Sequence, residues 1–138
     1  MSGSATAPPH DPITTHVLDS TTGLPAPSVP VSLTMLNPLG PSKPFTALTS
    51  ADGRINTWTP QAGPSLSEIF ANLGEHSNAK MVWSLKFDTK AYWGEGKTFY
   101  PEVEVKFFVG GDETGAGAGH WHVPVLLGPW GYTTYRGS

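Results

Sequence analysis

Apolar and polar residues alternate with a period of two through most of the chain beyond residue 12. In segment 13–19 (ITTHVLD), Ile13, Thr15 and Val17 share one face, and the residues between them share the other. This alternation is typical of a β-strand with one buried face. The same pattern predicts further strands at 29–35, 45–49, 54–58, 80–87, 102–109 and 120–127, with a final segment YTTYRGS after them.

Turn-forming residues separate these strands, since the chain holds 16 Gly and 14 Pro. Such a density argues against a helical bundle. Helical spacing is confined to 65–73, where Ser65 and Glu68 are placed to form a capping box, and to a single turn in 88–96 with Asp88 as its N-cap. The sequence therefore predicts an all-β sandwich with one short helix or two.

The length of 138 residues fits one domain with a modest core. Residues 1–11 (MSGSATAPPHD) are small, polar and rich in proline, which predicts a disordered leader before a domain at 12–138.

Charge and composition exclude several classes of function. The net charge is −3 and the eight Lys and Arg residues are scattered, so nucleic acid is not an expected partner. No apolar run approaches the roughly 20 residues that span a bilayer, and the N-terminus has no apolar signal region. With no cysteine, thiol catalysis and thiolate metal sites are excluded. We expect a cytoplasmic protein; a peroxisomal one is the alternative, although RGS is not the usual C-terminal signal.

The second face of strand 120–127 is unusual. It carries His120, His122, Pro124 and Leu126, where a solvated strand normally carries Lys, Glu or Thr. This mixture indicates burial against another subunit or the wall of a cleft. The alternative is that these are scattered exposed apolar residues, which are common.

The histidines and arginines of the chain are compatible with more than one kind of site. His120 and His122 point the same way on a strand, so they could bind zinc with a third ligand such as His16, or one could act as a general base. The two arginines, Arg54 and Arg136, could hold an anionic or carbonyl-rich substrate. Spacing alone joins neither arginine to a histidine, and a purely structural role for each residue stays open.

The C-terminal segment HWHVPVLLGPWGYTTYRGS resembles the end of the 5-hydroxyisourate hydrolases, a transthyretin-like family whose chains finish in YRGS. The segments ITTHVLDSTTGLPAPSVPVSL, TSADGR, DTKAYW and YPEVEVKF resemble further blocks of that family. The resemblance covers residues 12 to 138. Because transthyretins themselves lack YRGS, it points to the hydrolases.

The resemblance implies two four-stranded sheets, a homotetramer built as a dimer of dimers, and active sites at the mouths of a central channel. It implies catalytic roles for His16 of THVLD, Arg54 of ADGR and His122, the second histidine of the pair. Substrate-binding positions follow in the last strand and tail: Thr133, Tyr135, Arg136 and Ser138.

The implied reaction is the hydrolysis of 5-hydroxyisourate to 2-oxo-4-hydroxy-4-carboxy-5-ureidoimidazoline in urate degradation. The histidines would deprotonate a water and the arginine would stabilise charge on the substrate oxygen, without a metal or organic cofactor. Neither nucleic acid nor membrane is an expected partner. Three alternatives stay open: a carrier of small aromatic ligands, a structural sandwich and a zinc hydrolase.

Overall fold

The computed structural model describes residues 10–74, 80–111 and 119–138. Within these ranges the chain forms ten strands and two helices. In chain order they are β1 (Ile13–Asp19), β2 (Leu24–Pro25), β3 (Pro30–Asn37), β4 (Phe45–Leu48), β5 (Arg54–Ile55), β6 (Thr59–Pro60), α1 (Leu66–Gly74), β7 (Lys80–Phe87), α2 (Thr89–Trp93), β8 (Val103–Gly110), β9 (Trp121–Leu127) and β10 (Tyr132–Thr134).

The strands form two sheets. The first has the order β10-β9-β1-β2, with β5 also paired to β1, and its β1–β9 pair is parallel. The second has the order β6-β4-β3-β7-β8 and is antiparallel throughout. The predicted all-β sandwich is confirmed. The prediction of four strands per sheet is one short for each, because two-residue strands add to the sheet edges: β2 and β5 share one edge of β1, and β6 extends the second sheet beyond β4.

In the segment 54–58, predicted as one strand, only Arg54 and Ile55 form a strand, and residues 56–58 belong to neither sheet. Arg54 pairs with His16 in the first sheet, whereas Thr59 pairs with Thr46 in the second. Trp58 lies at the crossing, where its indole Nε1 donates to the carbonyl oxygen of Ile13 at 2.8 Å. The chain leaves the first sheet after Ile55 and joins the second at Thr59, so residues 56–58 form the crossing between the sheets.

The core lies between the inward faces of the sheets. Trp83, Leu85 and Phe87 of β7 are fully buried, as are Val125 and Leu127 of β9. Each such side chain contributes about 1.5 to 3 kcal/mol through removal from water. Helix α1 covers this core, since the Phe70 ring lies 5.8 Å from that of Trp83 and 5.9 Å from that of Trp121. The inward positions predicted from period two are therefore confirmed.

The helix caps follow the sequence. The Asp88 side chain accepts a hydrogen bond from the Ala91 amide, as predicted for α2. At α1, the Glu68 amide donates to the Ser65 hydroxyl at 3.2 Å, which is one half of the predicted capping box. Neither helix in the described residues is long and apolar enough to cross a membrane.

One polar contact ties α2 to the first sheet. The Tyr92 hydroxyl donates to the Asp19 carboxylate at 2.7 Å, and Thr21 donates to the same side chain. Burial acts to raise the pKa of Asp19, but these hydrogen bonds outweigh it and leave the pKa below its ordinary value. Burial and the bond to Asp19 raise the pKa of Tyr92 to about 12. This partly buried pair holds the end of β1 against α2.

The leader prediction falls mostly on residues 1–9, which lie outside the described residues. At its end, Asp11 is half-buried, and its carboxylate accepts a hydrogen bond from the Trp58 amide at 2.8 Å. This contact places the entry to β1 beside the crossing segment.

Candidate active site

Three neighbouring strands place the site residues on the outward face of the first sheet. The parallel register of β1 and β9 sets Thr14 beside His122 and His16 beside Pro124. On the other side of β1, the short β5 sets Arg54 opposite His16. Since alternate residues of a strand share a face, Thr14, His16 and His122 all lie on the side away from the core.

A threonine hydroxyl joins the two histidines of the pair. Thr14 Oγ1 lies 2.7 Å from His122 Nδ1 and 3.0 Å from His120 Nε2. Only 2 % of Thr14 is exposed, so the hydroxyl is withdrawn from bulk water. The two imidazole rings lie on the same side of the chain, with centroids 6.2 Å apart, as their spacing predicts.

A cavity of about 280 Å³ opens above this network. Its lining residues are His10, Thr14, Arg54, Asn56, His120, His122 and Ser138. The structure thus brings together Arg54, His122 and Ser138, three of the predicted site residues, although they come from β5, β9 and the end of the chain.

The sequence analysis assigned no role to Thr14, Asn56 or His10. Two of them could have been found from the sequence, because Thr14 lies two residues before His16 and Asn56 lies two residues after Arg54. Period two places each on the face of its predicted neighbour. His10 carried no such signal; its ring lies 4.5 Å from that of His120.

The tail is held against the histidine strand. The Gly137 amide donates to the carbonyl oxygen of His122 at 2.8 Å. A Cβ at position 137 would lie 2.7 Å from His122 Cδ2 and 2.8 Å from Pro124 Cγ, so a side chain there must displace its neighbours. This close approach sets Ser138 at the cavity.

The other predicted residues lie outside the lining of this cavity. His16 is half-buried next to it, opposite Arg54. Thr133 is exposed on β10, opposite Leu126. Tyr135 and Arg136 line a neighbouring cavity of about 270 Å³, and His122 lines both cavities. The Arg136 guanidinium donates to the His120 carbonyl oxygen at 3.4 Å.

The HIUase/Transthyretin family model matches residues 13–137 of the chain. The protein belongs to this family. It is 38% identical to the 5-hydroxyisourate hydrolase of Mus musculus, over 92% of this chain and 95% of the relative. The family resemblance seen in the sequence is therefore confirmed.

Two solved structures share the family fold. The 5-hydroxyisourate hydrolase of Klebsiella pneumoniae is 27% identical with a TM-score of 0.61, over 91% of this chain and 97% of that one. Transthyretin from Sparus aurata is 27% identical with a TM-score of 0.67, over 91% and 96%. The fold alone is thus common to a hydrolase and to transthyretin, so the side chains must distinguish between them.

The histidines of this family member are disposed to be neutral. Burial lowers the pKa of His16 from 6.5, and the positive charge of Arg54 lowers it further, although Asp52 partly offsets both. Burial also lowers the pKa of His122, with His120, Arg54 and His16 adding to the effect. A neutral imidazole at pH 7 can accept a proton, which is what a general base requires.

The zinc alternative needs a third ligand beside His120 and His122. Among residues 10–74, 80–111 and 119–138, no group of three or more His, Cys, Asp or Glu side chains is placed to hold a metal ion. The described donors therefore do not supply the third ligand. Metal independence of the reaction stays a prediction.

Proposed function

We propose that this protein hydrolyses 5-hydroxyisourate in the degradation of urate. The observation that carries the proposal is one cavity lined by the partly buried His122, the Arg54 side chain and the terminal Ser138. The names of the mouse and Klebsiella relatives support the substrate. Amide hydrolysis is accelerated by a general base that activates water and by a cation that stabilises the negative charge on the carbonyl oxygen.

In the proposed reaction, water adds to the ring carbonyl carbon of 5-hydroxyisourate. His122 takes a proton from this water, while the Arg54 guanidinium stabilises the negative charge that forms on the carbonyl oxygen. The ring C–N bond then breaks, and the imidazolium returns the proton to the leaving nitrogen. The product is 2-oxo-4-hydroxy-4-carboxy-5-ureidoimidazoline. His16, opposite Arg54 on the next strand, orients the water or the substrate.

We assign Ser138 to substrate binding because it lines the cavity. Substrate-binding roles for Thr133, Tyr135 and Arg136 rest on the family resemblance. The same resemblance supports a second proposal, a homotetramer built as a dimer of dimers. Trp130 and Tyr132 support such an assembly, since 70% and 42% of these aromatic side chains are exposed in the single chain. Sedimentation analysis would give the number of subunits.

A small-ligand carrier is the second candidate, favoured by the similarity to Sparus aurata transthyretin. A carrier has no need of a general base beside an arginine. Tight binding of an aromatic ligand without any turnover would support this candidate over the hydrolase.

The deciding experiment follows the ultraviolet absorbance of fresh 5-hydroxyisourate, made from urate with urate oxidase. We expect the protein to accelerate its decay, and we expect His122→Ala to remove most of that acceleration. Activity that survives a strong chelator would bear on metal independence. Decay at the spontaneous rate with folded wild-type protein would contradict the proposal.

A cytoplasmic location remains part of the proposal, with the peroxisome as the alternative. Imaging should use a tag at the N-terminus, because Ser138 lies at the cavity.

A further inference from the structure

The Thr14 hydroxyl couples the protonation patterns of two imidazoles. A hydroxyl carries one proton and two lone pairs, so between two neutral rings it donates to one nitrogen and accepts from the other. Its partners are His122 Nδ1 at 2.7 Å and His120 Nε2 at 3.0 Å. The tautomer of either ring therefore determines the tautomer of the other.

The Thr14 hydroxyl can donate to either ring and accept from the other, and only one of these two arrangements allows His122 to act as a base. Thr14 occupies Nδ1 of this ring, which leaves Nε2 as the nitrogen for a water in the cavity. Nε2 has a free lone pair only when Nδ1 carries the proton and donates to Thr14. The Thr14 hydroxyl must then donate to His120 Nε2, which must be unprotonated.

The surroundings of His120 keep its ring neutral, which this arrangement requires. The His10 ring lies 4.5 Å from the His120 ring, and the Arg136 guanidinium is bonded to the His120 carbonyl. Arg54 and His16 face the same group of side chains from β5 and β1. Burial, His10 and Arg136 disfavour a positive charge on His120, so this ring is neutral. A neutral ring can carry its proton on Nδ1 and accept the hydrogen bond from Thr14 at Nε2.

We propose that Thr14 is a positioning residue that, together with His120, holds His122 as the Nδ1–H tautomer and keeps its Nε2 available as the base. The catalytic consequence rests on the proposed hydrolase function, whereas the tautomer does not. When Nε2 takes the proton from water, the Nδ1–H bond to Thr14 becomes charge-assisted and strengthens. No second proton needs to move.

Thr14→Val is the main test, because valine keeps the branched shape and loses the hydroxyl; Thr14→Ser keeps the hydroxyl as the matched control. Long-range ¹H–¹⁵N NMR of the histidine rings above pH 7 distinguishes the two tautomers directly. We expect an Nδ1–H pattern for His122 in the wild type and in Thr14→Ser, and a shift towards Nε2–H in Thr14→Val.

The kinetic result should follow the tautomer. In Thr14→Val we expect kcat to fall about tenfold or more with KM within about twofold, because the fraction of correctly protonated base falls. Thr14→Ser should restore most of kcat. Melting temperatures would show that both variants fold.

Two results would overturn the inference: an Nε2–H tautomer of His122 in the wild type, or a folded Thr14→Val variant with the wild-type tautomer and kcat. The wild-type spectrum decides even if Thr14→Val does not fold. A wild type with the Nδ1–H tautomer but no hydrolysis would contradict the proposed function and leave the tautomer inference standing.

Discussion

The outward faces of the two sheets arise from the same period-two pattern, yet they differ in chemistry. The second sheet presents Ser84, Lys86 and Glu104, and the Ser84 hydroxyl donates to the Glu104 carboxylate at 2.7 Å. The first sheet presents the hydroxyl of Thr14 between two imidazoles. On the second sheet the charged side chains of Lys86 and Glu104 are exposed, although Ser84 between them is buried. On the first sheet the titratable side chains, His16 and His122, are half-buried.

The cavities on the two faces show why size does not identify the site. The cavity of the second sheet is larger, at about 860 Å³, and is lined by Lys86, Asp88, Lys90 and Glu102 among others. Its charges have both signs, and none of the described residues that line it is a histidine or an arginine. The cavity of the first sheet has about a third of that volume, but it combines partly buried imidazoles with a guanidinium. Burial and the kind of titratable group, rather than volume, mark a reactive site.

The largest expected difference in activity is between two variants that each lose one positively charged side chain, one on the outward face of each sheet. Arg54→Gln should lower kcat/KM about a hundredfold to a thousandfold, because the charge that forms on the substrate oxygen loses its partner. Lys86→Gln, the matched control, should stay within about twofold of wild type. The steady-state rate of 5-hydroxyisourate decay measures kcat/KM for both variants. Equal decreases in kcat/KM would contradict the assignment of the active site to the first sheet.

The pH dependence sharpens the comparison further. A lowered pKa means that His122 is already neutral below pH 6.5, so the acid limb of wild-type kcat/KM should have its midpoint below 6.5. In Arg54→Gln, the residual activity should show this midpoint at higher pH, because one positive neighbour of His16 and His122 is gone. An unchanged midpoint would mean that the charge of Arg54 does not affect the pKa of the titrating group.

The tail offers a smaller effect with its own control. Gly137→Ala should reduce kcat about tenfold to a hundredfold, since the new methyl group displaces the His122 ring or the tail. Gly131→Ala should behave as wild type, because nothing lies within 4 Å of a Cβ at that position. If Gly137→Ala kept full activity, Ser138 and the close packing of the tail would have no part in the reaction.

The smallest change in activity is expected at Tyr92, away from the cavity. Tyr92→Phe removes the donor to Asp19 and should lower the free energy of unfolding by about 1 to 3 kcal/mol while kcat/KM stays within about twofold. Tyr132→Phe is the control and should change neither, because it removes a hydroxyl but keeps the aromatic ring that the proposed assembly would bury. Urea unfolding at fixed protein concentration measures the difference; a large loss of activity in Tyr92→Phe would show that the framework and the site are not separable.

Local patterns were sufficient for the longer strands and their faces, but not for the two-residue strands β2 and β6. Period two identified β1, β7 and β9 and their inward residues, because a side chain's face depends only on its position along its own strand. The N-cap at Asp88 followed from a bond to an amide three residues away. The YRGS ending and the blocks before it identified the family, which the match over residues 13–137 confirms.

Neighbours across the sheet could not be predicted in this way. The end of the strand after Ile55 was missed, because a sheet crossing depends on pairing partners and leaves no change in the alternation. Tyr135 carried the family motif, and the structure places it in a cavity that His122 also lines, next to the one that holds Arg54 and Ser138.

The sequence by itself thus determined the class of fold, the family and the residue types available for chemistry. The tertiary structure decided that Thr14 meets His122, 108 positions away, and that Arg54 and Ser138 meet them at one cavity. The physical reason is that periodicity is a local property, whereas the parallel register of β1 on β9 is set by the packing of the whole core.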